Sequence, residues 1–355
     1  MKRINIQTKK GNRRGTTVRS MAGIVRLLSL VIFLLMAPGF TLGASPYYEG
    51  KTLTIVVGYK PGGGYDRYAR LMAKFLPKHL PGSPTVIVQN MPGANSIIGA
   101  NHIYSVAKPD GLTIGTFNNA LTTAQLTKVE GVKFDLTKFA WIGSVASDAV
   151  ILAIRSDLPY KTVDDMRKAK EIVIGTTGPG SSTHDFPSIL REFTGLNLKL
   201  VSGYSSSADV MLAIERKEVD GRAGSLDSIR PFIDRGLVRP MIRSRISDPT
   251  IEKLPVDEEL TKDPKGKAIM AVNAAPTRIY RPYVAPPGTP AEVMKILRNA
   301  FASATKDKEF LAEAKKSKMS IDFTPAEEAL KVVREVLNQP PELAREIGKY
   351  IKFGD

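Results

Sequence analysis

The 355-residue chain has no cysteine, one tryptophan and three histidines. The first absence excludes a disulfide framework, a thiolate zinc site, a cysteine nucleophile and a lipid anchor on an N-terminal cysteine. His79, His102 and His184 do not have zinc-binding spacing, so the reading expects no metal and no cofactor. There is no G-x-S-x-G elbow for a serine hydrolase. Missing too is any basic block with interleaved aromatics, which argues against nucleic acid despite 51 basic and 35 acidic residues.

Much of the basic excess sits in one place. Residues 1–26 carry Lys2, Arg3, Lys9, Lys10, Arg13, Arg14, Arg19 and Arg26 and no acid. The run Leu27 to Ala37, broken only by Ser29, is too short for a membrane span but suits a signal-peptide core. Pro38-Gly39 ends it, and small residues follow. The reading expects a signal peptide over 1–44, cleavage near Ala44, and export to the periplasm, with Met21 as an alternative start. Without those eight basic residues the count is 43 against 35, a net charge of +8 spread over mixed runs such as Lys161 to Lys170. A mildly basic exported protein suits an acidic small molecule.

What is present is organised around residues 54–75. Thr54-Ile55-Val56-Val57 reads as a buried strand ending at Gly58, and Tyr68, Leu71, Met72 and Phe75 recur at helical spacing. Between them lies Pro61-Gly62-Gly63-Gly64. Three glycines let the backbone approach a ligand and adopt conformations that Cβ forbids. The amides of the next helix then make a candidate anion cradle. Asp66 falls where an N-cap or first-turn residue belongs. No Gly-Lys-Ser/Thr closes the loop and its glycines lack dinucleotide spacing, so neither nucleotide fingerprint applies.

Strands spaced by helices continue through Val86-Ile87-Val88, a helix from Ile97 to Val106, and Thr113 to Phe117, which argues a parallel sheet. Asn118 lies just past a strand's carboxyl end, where open α/β sheets bind ligands. Two extended runs, Trp141 to Val145 and Val150 to Ile154, joined through Ser147, then carry the chain into a second unit of the same kind. Its strand-to-helix turns are rich in glycine and hydroxyls: Gly175 to His184, holding Thr177, Ser181, Ser182 and Thr183, and Ser202 to Ser207, holding Tyr204. One of Ser181, Ser182 and Thr183 is expected to cap the helix. Asp248 to Arg278 reads as proline-broken strand and loop fragments. Ile279 to Ala285 is an extended return segment, and helices from Ala291, Lys308, Pro325 and Glu342 close the chain. The expected architecture is α/β with two lobes: 45–150 plus 280–355 as a discontinuous first, and 151–279 as the second.

Several landmarks together resemble one family, the periplasmic solute receptors of tripartite tricarboxylate transporters (Bug/TctC-like). They are Lys60 to Asp66 with Ala69-Arg70, Gln89 to Ala94, Pro109-Asp110-Gly111, Gly175 to His184, Gly203-Tyr204, Val219-Asp220-Gly221, and Val284 to Pro290. The resemblance covers nearly the whole mature length. It implies a type II-like periplasmic binding protein, each lobe a mainly parallel sheet flanked by helices, closing around a small organic anion, commonly a carboxylate. Membrane-embedded transporter subunits would then receive the ligand from a monomeric receptor. It also implies that amides, hydroxyls and ordered water hold the carboxylate rather than an arginine. Carried onto this chain, it points to Gly63, Gly64, Tyr65 and Asp66 in the first lobe and Ser181, Ser182 and Thr183 in the second. Asn118, Ser147, Thr177, Tyr204 and Ser225 complete the candidate set. Ser205-Ser206 and Gly224-Ser225 depart from family pairs at the ligand's distal end.

Two other readings stand beside this one. A ligand sensor feeding a signalling kinase uses the same clamp, so the chain alone does not separate it from a transport receptor. A hydrolase built on His184 and Asp185 is disfavoured, because neighbours on a helix do not face each other, and no catalytic residue is expected.

Overall fold

Alternate residues of one strand face opposite sides of a sheet, and the first strand shows what that does here. In β1 (Thr52–Val57), Leu53, Ile55 and Val57 enter one apolar cluster while Val56 enters another on the opposite face. Each fully buried aliphatic side chain is worth about 1.5–3 kcal/mol, so the β-branched run fixes the sheet between two helical layers. The computed structural model describes Gln7, 45–246 and 248–350. Apart from Gln7, the expected leader lies outside those residues, and so does Ile351 at the expected end of the last helix.

The first sheet has six strands in the order β11-β4-β10-β3-β1-β2, with β2 (Thr85–Asn90), β3 (Thr113–Thr116), β4 (Ala140–Ser144), β10 (Pro282–Ala285) and β11 (Thr324–Pro325). Strands β1, β2 and β3 run parallel, and β10 is antiparallel to both β3 and β4. The second sheet is β7-β6-β8-β5-β9, from β5 (Val150–Arg155), β6 (Ile172–Gly175), β7 (Leu198–Val201), β8 (Gly221–Ser225) and β9 (Val238–Arg243). There β6 is parallel to β7 and β8, while β5 is antiparallel to β8 and β9. Both sheets are mixed, because the strand by which the chain enters each lobe from the other, β10 in the first and β5 in the second, runs against the parallel ones. Leu152 and Ile154 face one cluster of the second lobe and Ile151 and Ala153 the other.

The two crossings between lobes lie side by side. Val145 N donates to Arg281 O (3.1 Å), Tyr280 N to Ala146 O (2.9 Å) and Asp148 N to Thr277 O (3.1 Å). From Pro46 onward the two lobes belong to one compact unit.

Helices α1 (Gly64–Phe75), α2 (Ile97–Ser105) and α3 (Leu121–Leu126) belong to the first lobe. The second lobe holds α4 (Val163–Arg167), α5 (Ser182–Phe193), α6 (Ser207–Glu215), α7 (Leu226–Asp234) and α8 (Pro264–Ala274). Last come α9 (Ala291–Ala304), α10 (Lys308–Lys316), α11 (Ala326–Leu337) and α12 (Pro341–Gly348). Three points differ from the sequence reading. Helix α8 occupies a stretch read as strand and loop; its Asp263 cap and Pro264 at the first position are ordinary start signals. Gly266 there lets Phe193 approach to within 2.8 Å of where a Cβ would stand. Helix α3 falls in a segment given no element. And α12, expected on the first lobe, packs on the second, where Leu343 and Ile347, with Tyr350 just beyond the helix, join its core and Lys265 pairs with Glu346 at 3.3 Å. The tail is long enough to cross back, and a buried apolar face on α8 receives it.

Candidate ligand-binding cleft

The loop before α1 shows how the site is made. Gly62 takes φ +93°, the one of its three glycines in the left-handed region, while Gly63 is extended and Gly64 begins the helix. The expectation of forbidden conformations therefore holds at Gly62, and Gly64 is needed for space. Asp66 is buried and fully engaged: Gly62 N and Arg70 Nε donate to Oδ2 and Asn90 Nδ2 to Oδ1, each at 2.9 Å. Burial raises the Asp66 pKa, but those donors outweigh it and hold the carboxyl below its ordinary value. Asp66 thus ties down the loop and does not line the cleft.

Between the lobes lies a cavity of about 40 Å³. A single water needs about 10–15 Å³, so the lobes are nearly closed on it. The starts of four helices line it: Gly64 and Tyr65 of α1, Ser182 and Thr183 of α5, Ser206 and Ser207 at α6, and Ser225 and Ser228 at α7. First-turn amides lack partners inside their own helices, and the dipoles place partial positive charge at that end. Four such ends on one cavity favour an anion.

The hydroxyls of the second-lobe turn are partly used among themselves. Thr177 N donates to Thr183 Oγ1 (2.9 Å), Thr177 Oγ1 to Ser181 Oγ (3.0 Å) and Ser181 Oγ to Gly178 O (2.7 Å). Ser181 holds the N-cap position without a side-chain capping bond, contrary to the expected cap. Ser182 Oγ shares a 2.8 Å hydrogen bond with Tyr280 OH, and Asn118 Nδ2 donates to Gly180 O (2.9 Å). His184 Nδ1 and Asp185 Oδ1 are 3.1 Å apart, contrary to the expectation that they could not meet. In the first turn Asp185 folds back to accept from Gly180 N (2.9 Å), which brings its carboxylate beside His184.

Of the twelve residues expected from sequence, nine line the cavity: Gly63, Gly64, Tyr65, Asn118, Thr177, Ser181, Ser182, Thr183 and Ser225. Three do not. Asp66 braces its loop, Ser147 bonds the Asp322 carboxylate near the hinge, and Tyr204 packs against the second lobe's core.

The sequence reading missed two arginines, where it expected none. Arg281 is 2% exposed, and its guanidinium carbon stands 4.5 Å from the ring centre of Tyr65, 5.0 Å from Tyr68 and 4.3 Å from Tyr280. Its Nη1 donates to Tyr280 O and its Nη2 to Ser225 Oγ, both at 3.1 Å, while Nε has no partner. Burial acts to lower its pKa, but the three tyrosines and Asp148 hold it above the ordinary value. Arg222, 1% exposed on β8, donates to Ala223 O (3.1 Å), Ser207 O (2.9 Å) and Ser228 Oγ (3.0 Å). Burial pushes its pKa down to about 10. Gly224 (φ +149°) makes room, since a Cβ there would sit 2.3 Å from Arg222 Nη2. A signal was available: Gly221-Arg222-Ala223-Gly224 sets one large cation among residues too small to cover it.

Residues 68–349 match the model for the tripartite tricarboxylate transporter family receptor. A UPF0065 protein of Bordetella pertussis is 24% identical over 308 residues, covering 85% of this chain and 91% of that protein. Among solved structures, the periplasmic binding protein BugD aligns with a TM-score of 0.71 at 23% identity, over 86% of this chain and 99% of its own. MatC of Rhodopseudomonas palustris, solved with bound malate, aligns with a TM-score of 0.66 at 18% identity, over 84% and 98%. The chain belongs to the tripartite tricarboxylate transporter receptor family.

Proposed function

We propose that this protein is exported through a signal peptide over 1–44, cleaved near Ala44, and captures a small organic anion, a carboxylate, between its lobes. It then delivers that anion, as a monomer, to the membrane subunits of a tripartite tricarboxylate-type transporter. One observation carries the reading: four helix starts and two buried guanidiniums converge on a single interlobe cavity. Water screens such charges poorly there, so an anion gains more than it would at an exposed site. The malate bound to MatC is of the same chemical class. The lobes are 45–150 with 280–340, and 151–279 with the last helix added to it. Its role is binding, with no bond made or broken.

The test is uptake. A strain lacking this gene should lose transport of one carboxylate, with transport restored by the wild-type chain and not by Arg281→Met. Uptake that is normal in the deletion strain, with a transcriptional response lost instead, would replace transport by sensing.

A further inference from the structure

Several arginines of this molecule find carboxylates. Half-buried Arg230 lies 2.9 Å from Asp248 and 3.9 Å from Asp227, and Arg155 lies 3.0 Å from Asp157 and 3.6 Å from Asp220. The two most deeply buried do not: among the described residues neither Arg222 nor Arg281 has a carboxylate partner within 4.0 Å. Taking an unpaired ion out of water is strongly unfavourable, and two like charges in one wall add repulsion.

The two are compensated unequally. Three aromatic faces surround Arg281, and cation–π contacts gain strength when desolvated. No ring among the described residues covers Arg222, whose partners are two carbonyls and a hydroxyl. A guanidinium has five N–H groups, so two on Arg222 and three on Arg281 have no partner among the described residues, the buried Nε of Arg281 among them. The buried carboxyl that acts on Arg281 is Asp148, which burial and Asp227 push well above its ordinary pKa, toward the neutral form. Arg222 also walls a second hollow of about 240 Å³ beside Gly63, Gly64 and Ser207, where a longer ligand can extend.

We infer that Arg222, acting with Arg281, selects a ligand carrying two negative charges, a short dicarboxylate, over a monocarboxylate of the same length. This rests on the carboxylate-binding reading above. A monoanion leaves one buried cation uncompensated; a dianion neutralises both. Arg222 is the specificity residue because Arg281 has its rings as well.

The experiment is calorimetry at neutral pH on ligand-freed mature protein, with dicarboxylates of three to six carbons, each paired with the monocarboxylate of equal carbon count. Sulfate serves as the inorganic dianion. At least one dicarboxylate should bind its site tenfold or more tighter than its partner, and Arg222→Gln should reduce that ratio to about threefold or less. Arg222→Lys, which keeps the charge, should retain most of it, and thermal unfolding confirms that each variant is folded. If Arg222→Gln does not fold, the wild-type ratios and Arg222→Lys decide. Equal affinity for both members of every pair overturns this inference and leaves the carboxylate reading standing. Sulfate binding without any organic acid, or no binding across the panel, overturns both.

Discussion

A Cβ on Gly64 would stand 2.7 Å from Nη2 of Arg281, nearer than real Cβ contacts allow. The glycine loop and the buried cation are therefore one device: the absence of a side chain on Gly64 leaves the guanidinium room among Tyr65, Tyr68 and Tyr280. Replacing Gly64 by valine pushes the cation out of its slot and closes the approach to the α1 amides. Charge-assisted hydrogen bonds are worth about 1.5–3 kcal/mol each, so Gly64→Val should lower ligand affinity at least ~10-fold. Calorimetry reads the effect once circular dichroism shows the fold intact; unchanged affinity would remove the loop from the site.

Asp227 of the second lobe holds the first across the cleft. Its Oδ2 accepts from Tyr68 OH (2.6 Å) and Ser320 N (2.7 Å), and Oδ1 accepts from Ser320 Oγ (3.0 Å). Asp227→Asn removes the charge and one acceptor, which weakens the closed form by about 1.5–3 kcal/mol. Ligand affinity falls with the closed fraction, by roughly tenfold or more. Small-angle scattering with saturating ligand should show a larger radius of gyration than for wild type. A compact, tight-binding variant would mean the lobes close without this latch.

Burial pushes the Asp257 carboxyl up to about 7, from an unfolded value of about 3.9. Between those values the folded chain keeps a proton that the unfolded chain has lost, so this group's contribution to stability falls as pH rises and levels off above about 7. Asp257→Asn should remove that fall, making the variant progressively more stable relative to wild type from pH 4 to 7. Denaturant melts across this range measure the difference, and a constant difference would show that Asp257 ionises normally.

The legible parts of the molecule were those written in local pattern. Alternating apolar residues in β1 and β5, and the helical spacing of Tyr68, Leu71, Met72 and Phe75, reflect faces that each element must bury by itself. Glycine and hydroxyl turns gave seven of the nine cavity residues found from sequence, because backbone demands at a strand end show in residue type. Harder to read were the features set by partners distant in sequence. Arg281 is explained by Gly64, and α12 by α8, pairs that only the folded chain brings together. Helix α8 was hidden by Gly266 and a weak apolar stripe, although its Asp263-Pro264 start was in plain view. Tyr204 and Ser147 sit in turns of the right composition yet face away from the cleft, since composition does not say where a side chain points.

The central claim, that the cleft takes an organic anion, is tested most directly by what the protein carries. Protein purified from its native compartment, denatured and analysed by mass spectrometry for released small molecules, should yield one carboxylic acid at close to one equivalent, lost in Gly64→Val. A neutral or cationic solute released at that stoichiometry would contradict the account.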